Sequence, residues 1–171
     1  MTEPSIEFDS DGNALIPESG MRFGPFPPES FFRIDGSALH NGIEKCCKVV
    51  DIVVVREWSG RGASLLLIEA KSTSPGPSSV PSVASAERGS ESPDEQVDAY
   101  REKVAGSLHQ LAALALGRHG VSHPDVPDQF REPAIMRLPL RFVLVIKKMP
   151  SHIDASLQDR VKARLKCCAK M

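Results

Sequence analysis

Two apolar runs dominate the hydrophobic pattern of this chain, Val49-Val50-Asp51-Ile52-Val53-Val54-Val55 and Leu65-Leu66-Leu67-Ile68-Glu69-Ala70-Lys71. Both are short and rich in β-branched residues or leucine, which predicts core strands. The intervening Glu57-Trp58-Ser59-Gly60-Arg61-Gly62 supplies glycines for a tight reversal, so the pair reads as a β-hairpin. Downstream, Val97, Tyr100, Val104, Leu108, Leu111 and Ala115 recur at steps of three and four and predict a helix over 94–117. Ser92 as N-cap, Pro93 at the first helical position and Glu95 in a capping box start it, and Gly117 and Gly120 close it. Leu140 to Ile146 reads as a fully buried strand. Ile153, Leu157, Val161 and Leu165 mark a C-terminal amphipathic helix.

The remaining segments are punctuated by breakers. Prolines and glycines interrupt residues 1–45, so no long helix fits there, and 1–28 reads as an irregular N-terminal segment. Pro28 to Arg33 suits one or two helical turns, and Ile43 to Cys47 suits the start of a strand leading into the hairpin. Residues 73–93 are rich in serine, proline and glycine with almost no apolar bulk, which predicts a flexible surface insertion. The order is strand, strand, strand, long helix, strand, helix. A right-handed crossover through the long helix lays the last strand parallel to a central one. The expected fold is a single α/β domain with a mixed sheet flanked by helices.

Three charged residues fall inside the apolar runs: Asp51, Glu69 and Lys71. Charges in core strands are costly unless they are paired or hold a metal. Residues two apart in a strand share a face, so Glu69 and Lys71 point the same way. Reversal about residue 60 or 61 sets Asp51 opposite Glu69 or Lys71, whereas a turn centred half a residue away sets it opposite Ala70 on the other face. The first register groups the charges and is the one expected. Neighbouring carboxylates repel, and a hard divalent cation relieves that repulsion.

Asp51 followed by Glu69-Ala70-Lys71 resembles the PD-(D/E)XK phosphodiesterase superfamily, which includes restriction-type and DNA-repair nucleases. The string Ile68-Glu69-Ala70-Lys71-Ser72 with Pro75 close behind is similar to small, poorly characterised bacterial proteins placed near that superfamily. The resemblance covers roughly residues 45 to 72 directly. It implies a restriction-endonuclease-like αβββαβ core. It also implies magnesium or manganese held by Asp51, Glu69 and the Ala70 carbonyl, with Lys71 as the catalytic lysine. Many active members add an acid from a helix ahead of the sheet; here Glu29 is the best substitute and Glu44 the next. The superfamily's helix after the E-x-K strand often lends a polar residue, which makes Lys103 and Gln110 accessory candidates. A solvated polar face is the simpler account of both. A salt-bridged hairpin with Lys71 paired to Glu69 is the bland alternative to a metal site.

Formal net charge is −1, but its distribution is uneven. Residues 1–36 carry seven acids and two bases, whereas 137–171 carry nine bases and two acids. The basic end offers Lys147, Lys148, Arg160, Lys162 and Arg164 as nucleic-acid contacts, or equally as a solvated or partner-docked face. Adjacent pairs Cys46-Cys47 and Cys167-Cys168 lack zinc-knuckle spacing and read as reduced thiols of a cytoplasmic protein. His119, His123, Asp125 and Asp128 form a poor metal signal. Asp9-Ser10-Asp11-Gly12-Asn13 lacks the glycine and glutamate of a calcium loop. No basic and apolar leader is expected, and no apolar run is long enough to span a bilayer.

The expected function is therefore a metal-dependent nuclease acting on nucleic acid, DNA ahead of RNA. So small a core would need a protein partner, a second copy or a damaged or structured substrate to gain specificity. The competing expectation is a catalytically inactive nuclease-like fold acting as an interaction subunit of a larger bacterial complex.

Overall fold

The two apolar runs pair as the central hairpin of a four-stranded sheet in the computed structural model of the protein, which describes residues 5–42, 47–60, 62–72, 93–118, 125–147 and 154–166. In chain order the strands are β1 (Glu7–Phe8), β2 (Ala14–Glu18), β3 (Met21–Phe26), β4 (Phe31–Arg33), β5 (Ile52–Trp58), β6 (Gly62–Lys71) and β7 (Leu140–Ile146). The helices are α1 (Ala38–Gly42), α2 (Pro93–Ala115) and α3 (Asp154–Leu165). β4, β5 and β6 pair antiparallel, and β7 runs parallel to β6 after the crossover through α2. Ile52 faces Ile68 and Trp58 faces Gly62, a register centred on residue 60; Asp51 lies just ahead of the paired residues, with its N–H on the Ile68 carbonyl. Gly60 supplies the positive φ of +75° that the reversal needs.

The sheet is covered on both faces. On one, Phe32, Val50, Val53, Leu65 and Leu67 pack against Val104, Leu111 and Leu114 of α2 and against Phe130 and Ile135 from the 3-10 turns that precede β7. On the other, Ile52, Val54, Leu66 and Ile68 meet Ala14 and Ile16. Those two residues belong to a second sheet, three-stranded and antiparallel, in the order β1-β2-β3. A smaller cluster joins Val97 and Tyr100 of α2, Leu157 and Val161 of α3, and Phe142 and Leu144 of β7. Among the described residues no helix is long and apolar enough to cross a membrane.

Several expectations need correction. Residues 5–28, the described part of that segment, are not irregular: Gly12 and Gly20 sit in hairpin turns, and Pro17, Gly24 and Pro25 are accommodated within β2 and β3. Gly12 adopts φ +79° in the β1–β2 turn, and Ser19-Gly20 forms a two-residue β2–β3 loop with φ of +50° and +70°. Between these turns Ala14 and Ile16 alternate inward. Pro28–Ser30 is a 3-10 turn, and Phe31–Arg33 is a strand that buries both phenylalanines. That strand supplies the edge expected at 43–47, of which 43–46 lie outside the described residues. β7 is not fully buried. It pairs only with β6 among the described residues, and most of its side chains are half-buried. The insertion expected over 73–93 lies outside the described residues up to Pro93, where α2 begins. α2 stops at Gly117 with φ +65°, where the N–H groups of Gly117 and Arg118 bond back to the carbonyls of Leu114 and Ala113 in a Schellman closure.

Candidate functional site

Asp51 sits immediately ahead of β5, held by its own backbone. Its N–H donates to the Ile68 carbonyl at 3.1 Å, and its carbonyl accepts from the Ile34 N–H at 3.2 Å. The carboxylate is thereby fixed beside the end of β6, where Oδ2 accepts the Ala70 N–H at 2.6 Å. Glu69 projects from β6 on the α2 side of the sheet and is 0 % exposed. Lys71, two residues on and on the same face, lies with Nζ 2.9 Å from Glu69 Oε1 and keeps 40 % of its side chain exposed. Asp51, Glu69 and Lys71 thus converge, in the register that groups them.

A second lysine completes the group. Lys103 of α2 donates to both oxygens of Glu69, at 2.7 and 2.8 Å, and lies 3.9 Å from Asp51 Oδ1. A carboxylate removed from water needs such partners, since an unpaired buried charge is strongly destabilising. Two residues dock α2 closely enough to deliver it. Gly106 has no side chain, and a Cβ there would collide with the Lys48 carbonyl. Ser107 accepts the Val50 N–H at 2.9 Å while its hydroxyl donates to the Lys103 carbonyl at 2.8 Å. The polar face of α2 is therefore turned inward, not solvated: Ser107 and Gln110 are both buried.

The β2–β3 hairpin tip closes the group from another side. The Ser19 hydroxyl donates to the Ala70 carbonyl at 3.1 Å, and Glu18 bonds Arg33 at 3.0 Å. Lys147, following β7, donates to the Gly20 carbonyl at 2.5 Å and so clips the tip to the end of the larger sheet. Sequence reading missed Glu18 and Ser19. The Ser-Gly turn after the inward alternation of Ala14 and Ile16 was the available signal for the hairpin, and Pro17 obscured it.

These contacts set the electrostatics. Burial pushes the Asp51 carboxyl up to about 6, with the Glu69 charge adding to the rise. The Ala70 N–H and the Lys103 charge oppose it, and Glu18 pushes further upward. At Lys71 burial works downward, but the hydrogen bond to Glu69 and the charges of Glu69 and Asp51 hold its pKa above the ordinary value. Lys71 is therefore a cation at neutral pH, suited to stabilise negative charge and unsuited to take a proton.

The donor set of Asp51, Glu69 and the Ala70 carbonyl is all oxygen, which suits a hard divalent cation. Such a charge would relieve the like-charge crowding that lifts Asp51. The Ala70 carbonyl retains a second lone pair beyond the one that Ser19 engages. Both Glu69 oxygens are bonded to Lys103, so a divalent ion at these residues would have to displace that ammonium. Among the described residues no group of three or more His, Cys, Asp or Glu side chains is arranged to hold a metal ion.

The other candidates lie apart. Gln110 is two helical turns beyond Lys103, where its Nε2 contacts His40 Nδ1 at 2.9 Å and Cys47 Sγ at 3.5 Å. Glu29 is exposed, and its carbonyl accepts from Gln129. Arg160 and Arg164 of α3 pair with Asp94 and Asp98 of α2, so part of the basic end is spent within the molecule. Lys162 is exposed on α3. Glu44, Lys148, His119 and His123 lie outside the described residues, as do Cys46, Cys167 and Cys168. Asp125 accepts the Ala38 N–H, and Asp128 pairs with Arg131.

No family model, no curated protein and no solved structure matches this chain.

Proposed function

We propose that the protein is a metal-dependent phosphodiesterase that cleaves nucleic acid, DNA ahead of RNA. The observation that carries this reading is the convergence of Asp51, Glu69 and Lys71 at one end of the β5–β6 hairpin. The sheet order supports it as well. An antiparallel β4-β5-β6 meander, then α2, then β7 parallel to β6 is the arrangement implied by the PD-(D/E)XK resemblance. The α1 helix lies between β4 and β5, and the segment ahead of β4 is the small β1–β3 sheet, where the superfamily pattern would place a helix.

In this reading Asp51, Glu69 and the Ala70 carbonyl would hold magnesium or manganese. The ion's chemistry is to polarise the scissile phosphate and lower the pKa of the attacking water. Lys71 supplies a fixed positive charge for the oxygens on which negative charge develops at phosphorus. Ser19 positions the Ala70 carbonyl through its hydrogen bond. Lys103 is the counter-charge that pairs with Glu69 and holds it in place beforehand.

The test is cleavage of linear, circular and single-stranded DNA and of RNA with magnesium or manganese. Wild type is compared with Glu69→Gln and Lys71→Ala, and calorimetry follows metal uptake. Metal-dependent cleavage that both substitutions abolish, in variants with unchanged circular dichroism, supports the reading. No cleavage together with no metal uptake overturns it.

One observation favours a second reading. Glu69 is already neutralised by two lysines and is shut from solvent, as a purely structural ion-pair network would be. On that reading the fold is an interaction subunit without catalysis. The same calorimetry separates the two, because a structural network takes up no divalent ion.

A further inference from the structure

Beyond the acidic site, the other face of the larger sheet carries an unusual grouping. Arg56 and Trp58 follow Val54 at two-residue steps along β5 and so share its face, and Arg141 lies on the same face through its register with Leu66, the partner of Val54. They begin where the apolar strip of Val54, Leu66 and Val143 ends. The Arg56 guanidinium lies 4.7 Å from the Trp58 ring centroid, and that of Arg141 lies 5.2 Å from it. Both distances are within cation–π range. Both arginines are exposed.

Like charges gathered on one indole repel, and ordinarily a nearby acid offsets them. Elsewhere Arg22, Arg33, Arg131, Arg160 and Arg164 each pair with a carboxylate. Among the described residues no carboxylate lies within ion-pair distance of Arg56 or Arg141. Stacking on an aromatic ring orders a guanidinium and leaves its N–H fork free for bidentate bonding to a planar pair of oxygens. The indole Nε1–H is buried, so the polar groups presented by the trio are the two guanidiniums.

We propose that Arg56, Trp58 and Arg141 form a second nucleic-acid contact, a clamp for phosphodiester groups on the face of the sheet opposite the acidic site. The choice of nucleic acid over another polyanion rests on the phosphodiesterase reading. Trp58 lies seven residue steps along from Asp51, a span of about 23 Å at roughly 3.3 Å per step in extended chain. The clamp therefore engages a stretch of strand distinct from the one at Asp51 and Glu69.

Trp58 is the single tryptophan of the chain, so its emission reports on this site alone. The experiment titrates the full-length protein, with chelator present, with a single-stranded DNA oligonucleotide and with polyglutamate of matched charge. The expected result is a saturable, salt-sensitive change in emission with DNA and none with polyglutamate. Arg56→Ala/Arg141→Ala should bind DNA at least tenfold more weakly. Its log–log salt dependence should be flatter by roughly 1.4, the value for two lost phosphate contacts on a single strand. Arg56→Lys/Arg141→Lys, which keeps the charges and loses the forks, should fall between. A silent tryptophan, an unchanged affinity in the alanine variant, or an equal response to polyglutamate overturns the proposal; the last outcome points to an acidic protein. Metal-dependent hydrolysis of bis(p-nitrophenyl) phosphate keeps the two readings apart. It should be unchanged in the arginine variants and lost in Glu69→Gln, whereas DNA binding at Trp58 should survive Glu69→Gln. A positive titration without any diester hydrolysis sinks the catalytic reading alone, and hydrolysis with a silent Trp58 sinks the clamp alone.

Discussion

Lys103 Nζ reaches both carboxylate oxygens of Glu69 across 34 residues of chain, at 2.7 and 2.8 Å. The contact ties α2 to the face of β6 that it covers. It also places an ammonium where a divalent ion bound by Asp51 and Glu69 would have to compete.

Lys103→Met should therefore expose that competition. It leaves Glu69 with Lys71 as its remaining close cation, and loss of about 3 kcal/mol of stability is expected. Magnesium should raise the melting temperature of Lys103→Met more than that of wild type. Thermal denaturation of both proteins with and without magnesium is the check. An equal response would mean that the ion does not take the place of the ammonium.

The raised pKa of Asp51 predicts a pH dependence with a defined sign. Its carboxyl titrates at about 6 in the fold against an ordinary value of 3.8, so the folded state binds this proton more tightly. The associated stabilisation is complete below pH 3.8 and is lost as pH rises through 6. The full swing is on the order of 3 kcal/mol. Asp51→Asn keeps an acceptor for the Ala70 N–H and removes the titration. Its stability relative to wild type should therefore climb between pH 4 and pH 7, read by denaturant unfolding at each pH. Glu18→Gln should shift the same transition downward in pH, because Glu18 adds to the rise.

Gly106→Ala sets helix propensity against packing. In a free helix the change would gain up to about 1 kcal/mol. Here the new methyl would collide with the Lys48 carbonyl, so net destabilisation of about 1–3 kcal/mol is expected from the forced shift of α2. Ser107→Ala should cost a similar about 1–3 kcal/mol, by leaving the buried Val50 N–H without its acceptor. Urea unfolding of each variant measures both effects.

At the hairpin tip, Ser19 holds φ of +50°, a conformation that glycine adopts without strain. Ser19→Ala keeps that strain and loses the bond to the Ala70 carbonyl, whereas Ser19→Gly loses the bond but relieves the strain. The glycine variant should be the more stable of the two by about 1 kcal/mol. Equal stabilities would show that the tip relaxes freely when its hydroxyl is removed.

How much of this was legible in the sequence depends on how local each signal was. The strand pair, its register about residue 60 and the shared face of Glu69 and Lys71 follow from two-residue periodicity and a short glycine-bearing turn. The α2 boundaries follow from the Pro93 start and the Gly117 stop. The inward turn of Lys103, Ser107 and Gln110 did not follow. Polar residues at helical spacing look the same whether they face water or a buried partner, and the partners Glu69, Val50 and His40 are far away in sequence. The β1–β3 sheet was hidden because glycine and proline mark hairpin turns and irregular chain alike. The half-buried state of β7 was hidden because an apolar run does not reveal whether it has one neighbour or two.

The crossover geometry bears on how the chain assembles. β5 and β6 are joined by a short turn and are the more local pairing, whereas the docking of α2 and the pairing of β7 with β6 close much longer stretches of chain and are expected later. Until α2 docks, Glu69 has no ammonium from it, so the young hairpin carries a solvated acid on the face destined for the interior. A chain halted there would keep that face wet, and the arrival of the helix is what dries it.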